Sequence, residues 1–291
     1  MPGRCSAPSR SAADACVRLI PFEPAAARGT AAAARDAAGD GDGDGVALLL
    51  HGFGADRLSW AANAPALAQR LPVVVADLPG HGTAADFEAT RFEDVLALAI
   101  DAVEALVRAR GADGLGTRLH LVGHSLGGAL AIALAARETL PVASLVAVAP
   151  GGLGTGIDVA WLEGLVALDN EAVALAHLAR LVADPRLISR QAATLLLAHL
   201  ARPGVRDRLG ALARDLAGLD AHVLPALEAV VSRGVPRVCV WGELDGVNPP
   251  DETRVAAFGG EAVRYARCGH LPQIERAGRF NRSVLELIDA A

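Results

Sequence analysis

The sequence contains no lysine. Schiff-base chemistry and a P-loop lysine are therefore excluded, as is attachment of lipoyl or biotin to this chain. Aromatics are scarce: three tryptophans, one tyrosine and six phenylalanines. That is too few for a base-stacking platform. There is also no basic surplus, with 27 arginines against 33 acidic residues and a net charge of -6. Without a surplus to neutralise a phosphate backbone, nucleic acid is not an expected partner. No apolar run approaches the ~18 residues of a membrane span. The uncharged stretch 119–136 is interrupted by His120, Gly123, His124, Ser125, Gly127 and Gly128. The four cysteines, Cys5, Cys16, Cys239 and Cys268, form no C-x-x-C pair, and their spacing suits neither zinc nor a disulfide framework. The first thirty residues hold no apolar stretch of signal-peptide length. Reduced thiols and a cytoplasmic location are the expectation.

What remains is a 291-residue chain, 52% hydrophobic and rich in alanine, long enough to bury a sizeable core. Residues 1–44 are rich in Ala, Gly, Asp and Arg, and only 16–22 reads as a strand. The run Asp40-Gly-Asp42-Gly-Asp44-Gly45 has the look of a calcium loop. Its twelfth position is His51 rather than Glu, and a strand pattern follows, so a solvated turn is expected and no metal site.

From residue 45 the pattern alternates. Strands are predicted at 46–50, 72–76, 119–123 and 142–149, with helices at 60–70, 92–110 and 126–137. Residues 92, 95, 96, 99, 103, 106 and 107 form one apolar helical face. The alternation predicts an α/β fold with a mostly parallel sheet covered on both faces. Between 157 and 219 only helical patterns occur, broken by Pro185 and Pro203-Gly204; strands return at 237–241 and 261–266, and a helix at 280–290 ends the chain. The organisation reads as core at 45–156, a helical insertion at 157–219 and core again at 220–291, without internal repeats.

The chemistry centres on Gly123-His124-Ser125-Leu126-Gly127, a G-x-S-x-G between a strand and a helix. Such a turn aims the Ser125 hydroxyl off the sheet at a helix N-terminus, where developing negative charge is favoured. A serine hydroxyl needs a base, and the base an orienting acid. His270 is the candidate base and Asp245 the candidate acid, each in a loop after a predicted strand. Glu243 is the acid's rival, with Asp158 more remote. His177, His199 and His222 belong to the helical stretch and read as amphipathic or capping side chains. His120 reads as structural and His124 as a packing residue turned away from the serine. His51 and His81, in turns near the site, read as wall residues or as structural hydrogen-bond partners. The amides of Leu126 and of Phe53, in the turn His51-Gly-Phe-Gly54, are the candidate oxyanion donors.

With these residues in hand, the chain resembles the α/β-hydrolase superfamily. The resemblance covers roughly 45–290 and rests on HGFG at 51–54, DLPGHG at 77–82, GHSLGG at 123–128, WGELDGVNP at 241–249 and CGHLPQIE at 268–275. It implies an eight-stranded core with a helical lid and no cofactor. APGGLG at 149–154, ADPRLISRQ at 183–191 and ERAGRFN at 275–281 are similar to the hydrolase-type domain of acetoin dehydrogenase acetyltransferase components and, less closely, to meta-cleavage C–C bond hydrolases. No lipoyl domain fits the first 45 residues, and the H-x-x-x-D-G signature of the usual acyltransferases of such complexes is absent. The expected function is a Ser-His-Asp hydrolase acting through an acyl-enzyme on a small, largely apolar ester or thioester. The alternatives are transfer of the acyl group to a thiol or alcohol, C–C bond hydrolysis, and a non-enzymatic binding module. The expected partner is a small acyl substrate, and a homo-oligomer is compatible with the sequence.

Overall fold

The structure, a computed structural model, describes residues 17–22, 45–112 and 118–291. Cys5, Cys16 and the Asp40–Gly45 run before its last glycine lie outside the described residues. Seven strands form one sheet: β1 (Arg18–Pro21), β2 (Gly45–Leu50), β3 (Val73–Asp77), β4 (Arg118–His124), β5 (Val142–Val148), β6 (Arg237–Gly242) and β7 (Glu261–Tyr265). Their order is β1-β3-β2-β4-β5-β6-β7. All pairs are parallel except β1 with β3, where Arg18 faces Asp77 and Pro21 faces Val74. The resemblance implied eight strands; the described residues hold seven. Of the first 44 residues, Arg18–Pro21 enters the sheet, as its β1 edge.

Central strands of a parallel sheet are covered on both faces and read as continuous apolar runs. β2, GVALLL, is buried throughout. Its side chains alternate in direction, with Val46, Leu48 and Leu50 entering one core layer and Ala47 and Leu49 the other. The first layer is closed by α2 (Phe92–Ala112) and α3 (Leu126–Ala135). The second is closed by α1 (Ala64–Leu67) and the C-terminal helix Ala277–Ala290, whose Phe280, Val284 and Ile288 recur every four residues. Every residue of α3 is buried.

Between β5 and β6 run α4 (Val159–Val166), α5 (Glu171–Leu178), α6 (Arg190–Leu200), α7 (Val205–Asp215) and α8 (Asp220–Ser232). Side chains cap most of their starts: Asp158 accepts from Trp161 N, Asn170 from Val173 N and Ser189 from Ala192 N. α8 packs on α3 and completes the cover of the sheet. After β6 come α9 (Glu252–Ala257), α10 (Pro272–Glu275) and α11, the helix Ala277–Ala290.

The expected helix at 60–70 is instead two short pieces, a 3-10 turn at Arg57–Trp60 and α1. Asp56 caps Leu58 N and starts the first piece, while Pro65 at the head of α1 starts a second.

Candidate functional site

The parallel strands deliver their C-terminal ends to one side, where open α/β sheets place ligands. β4 ends at His124 and turns directly into α3 through Ser125, whose φ is 54° and ψ -113°. Positive φ at a non-glycine residue costs of order 1–3 kcal/mol and persists only where the surroundings enforce it. Here the enforcement is backbone pairing. Ser125 N donates to Val148 O at the end of β5, and Ser125 O accepts from Gly151 N and Ala129 N. The flanking glycines allow the close approach. A Cβ on Gly123 would sit 2.1 Å from Gly127 O, and one on Gly127 would sit 2.2 Å from Leu50 O. Both are required because the helix start is pressed into the sheet.

Asp245 and His270 arrive from the loops after β6 and β7. His270 Nδ1 lies 2.7 Å from Asp245 Oδ2, with both side chains almost wholly buried. The same carboxylate accepts from Trp241 Nε1 at 2.9 Å, from Val247 N at 3.0 Å and from Asn248 N at 2.9 Å. Burial pushes this carboxyl up, but the facing His270 and the amide donors outweigh it and hold its pKa below the ordinary value. Asn248 is itself fixed, its amide donating to Ala149 O and Pro150 O at 3.0 Å each. The loop carrying Asp245 is thereby tied to the elements that hold the serine turn. His270 N donates to Leu181 O at 2.7 Å, linking the imidazole's loop to the helical insertion.

His124 packs against His270, with ring centroids 4.8 Å apart, and its Nε2–H donates to His270 O at 2.8 Å. Burial lowers its pKa to about 3, so it is a neutral spacer at physiological pH. His51 and His81 organise the Gly-rich turn. His51 Nδ1–H donates to Gly52 O and its Nε2 accepts from Leu78 N. His81 Nδ1–H donates to Pro79 O and its Nε2 accepts from Gly54 N. The candidate donor Phe53 thus stands between two anchored neighbours. The other candidate, Leu126 N, opens α3, where the first amides have no partner within the helix.

Ser125, His270, Phe53 and Leu126 all line one cavity of about 320 Å3. Its other walls are mostly apolar residues of the insertion, among them Trp161, Leu165, Leu178, Leu196 and Leu216. The acid rivals lie elsewhere: Glu243 is exposed, and Asp158 caps α4 and pairs with Arg180. His120 bonds Ser144 in the sheet, His177 stacks on Trp161 and His222 faces Glu93. His199 lines the cavity and bonds Gly80 O. Among the described residues no cluster of His, Cys, Asp or Glu could hold a metal ion, and no helix is long and apolar enough to cross a membrane.

Sequence reasoning did not assign Trp241 and Asn248, the two side chains that immobilise Asp245 and its loop. Their signal was their position inside the segment 241–249. The family model of the Alpha/beta hydrolase family matches residues 47–283. The chain belongs to the α/β-hydrolase family. It is 34% identical over 242 residues to the dihydrolipoyllysine-residue acetyltransferase component of the acetoin cleaving system of Pseudomonas putida, covering 83% of this chain and 62% of that protein. The α/β hydrolase therefore spans about three fifths of that relative's length. It is 27% identical over 263 residues to a 2-hydroxy-6-oxononadienedioate/2-hydroxy-6-oxononatrienedioate hydrolase of Burkholderia vietnamiensis, covering 83% of this chain and 86% of that one. Its fold matches 2-hydroxy-6-oxo-6-phenylhexa-2,4-dienoate hydrolase from Rhodococcus sp. strain RHA1 with a TM-score of 0.75 and 20% identity, covering 94% of this chain and 99% of that chain.

Proposed function

We propose that this α/β hydrolase is a serine hydrolase that cleaves a small, largely apolar ester or thioester through an acyl-enzyme. The observation that carries this reading is the His270–Asp245 bond of 2.7 Å, with the same imidazole and Ser125 lining one cavity. Because Nδ1 is held by Asp245, Nε2 is the nitrogen left to serve Ser125. Ser125 Oγ attacks the acyl carbon as Nε2 takes its proton. Asp245, kept ionised, stabilises the imidazolium. The amides of Phe53 and Leu126 receive the negative oxygen of the tetrahedral intermediate; losing one such donor typically costs ~3 kcal/mol. Nε2–H then protonates the leaving oxygen or sulfur as its bond to carbon breaks. Water, deprotonated by the same nitrogen, releases the acid and restores Ser125. The insertion acts as a lid whose apolar side chains surround the acyl chain and exclude bulk water.

A second reading shares every step up to the acyl-enzyme and replaces water by a thiol. Its support is the likeness to the Pseudomonas putida acetyltransferase component. With no lysine among these 291 residues, that thiol is not a lipoyl group attached to them.

The test is hydrolysis of short-chain 4-nitrophenyl esters by wild type and Ser125→Ala, with and without a dithiol acceptor. A burst followed by steady release, lost in Ser125→Ala, is the expected result. Thioester product exceeding free acid would select the transfer reading. No turnover and no burst by wild type would overturn both.

A further inference from the structure

The charge inventory of the cavity wall differs from what the substrates named for two of the relatives require. Those names describe dienoates and dienedioates, which are carboxylates at neutral pH. A carboxylate drawn from water into an apolar cavity must be paired, or it costs several kcal/mol. Among the described residues, no arginine lines the cavity of this chain, and the one carboxylate on its wall is that of Asp56. Among the described residues Asp56 pairs with no arginine, and one of its oxygens caps Leu58 N at 2.8 Å.

Arginines do stand next in sequence to wall residues, but each is engaged by an acid. Arg57, beside Asp56, pairs with Asp77 at 2.9 Å, and Arg180, beside Leu181, pairs with Asp158 at 2.7 Å. Arg186, beside Leu187, pairs with Asp184 at 2.7 Å, and Arg190, beside Ser189, pairs with Glu171 at 2.6 Å. The wall histidines other than His270 supply no compensating charge. Burial lowers the pKa of His124 to about 3 and also lowers that of His199.

We propose that the cavity selects uncharged acyl groups and rejects acyl groups ending in a carboxylate, with Asp56 as the residue that determines this choice. The inference rests on the serine-hydrolase reading above and narrows it. The approach of an anionic acyl chain is opposed twice: its carboxylate loses water without gaining a cation, and it meets a fixed negative charge on the wall.

The test compares two esters of equal chain length, 4-nitrophenyl hexanoate and the mono-4-nitrophenyl ester of adipic acid, as a ratio of kcat/KM. Wild type is expected to favour the neutral ester by about 100-fold. Asp56→Asn retains an oxygen able to cap Leu58 N and is expected to narrow that ratio by about 10-fold. A wild-type ratio near unity, or a ratio untouched by Asp56→Asn, overturns the proposal while leaving ester hydrolysis standing. If neither ester is cleaved, the serine-hydrolase reading fails, and binding still decides the inference. Fluorescence of Ser125→Ala, in which Trp161 reports on the cavity wall, is titrated with 2-octanone and with 7-oxooctanoate. Tighter binding of the ketone by at least about 10-fold supports the proposal, and equal binding refutes it.

Discussion

The two halves of the cavity are built differently. The floor, at the strand ends, is a web of short polar bonds: His270 to Asp245, Trp241 to Asp245, Asn248 to Ala149 and Pro150, His51 and His81 to the Gly-rich turn. The roof, from α4 to α7, offers leucines and Trp161, whose contacts are non-directional. A directional web fixes where atoms react, and small displacements in it are costly. An apolar roof tolerates changes of shape and volume at modest cost. Chemistry should therefore be sensitive to the floor and selectivity to the roof.

The sharpest break of that contrast is at the floor. Ser125→Ala should lower kcat by about 10^6-fold, read by single-turnover ester hydrolysis. Asp245→Asn should lower it by about 10^4-fold with little change in KM, because the imidazole loses its anionic partner and its tautomer. Gly127→Ala tests the packing beneath. Its Cβ would fall 2.2 Å from Leu50 O, so the melting temperature should drop by the equivalent of about 3 kcal/mol or the chain should fail to fold, seen by circular dichroism. At the roof, Trp161→Ala should change KM by about 10-fold and shift the preference toward longer acyl chains, while kcat on the best ester changes less. Equal losses of kcat from roof and floor substitutions would break the contrast.

The smallest expected effect is thermodynamic. His81 and His124 have pKa values lowered from 6.5 to about 3, and His51 is lowered as well, burial being the main cause. In the unfolded chain these imidazoles take up protons as pH falls below 6.5; in the folded chain all three do so at lower pH, His81 and His124 only near pH 3. Stability is thus complete above pH 6.5 and declines as pH falls toward 3, with a slope of up to about 1.4 kcal/mol per pH unit for each histidine. Denaturant unfolding at pH 7.5 and 5 reads this directly. His81→Asn should flatten the slope; an unchanged slope would mean that His81 is not buried in its neutral form.

Legibility followed the same division. The β4–Ser125–α3 turn could be read because an apolar strand, a G-x-S-x-G and an apolar helix are all local patterns. The pairing of Asp245 with His270 could be read because each follows a strand, and loops after neighbouring parallel strands end on the same side of the sheet. Trp241 and Asn248 were missed because their bonds to and around Asp245 form only when the loop folds back on itself. The break of the 60–70 helix was missed because Asp56 and Pro65 each start a helical turn, whereas apolar periodicity alone runs through both. β1 was legible as an apolar run, but its antiparallel pairing with β3 is a long-range choice that no local pattern carries.

The central claim is tested most directly by locating the covalent adduct of a fluorophosphonate probe by mass spectrometry and timing its formation in wild type, Asp245→Asn and His270→Gln. The account predicts a single adduct on Ser125, formed quickly in wild type and at least about 10^3-fold more slowly in either variant. An unlabelled wild type, an adduct on another residue, or equal rates in all three proteins would contradict it.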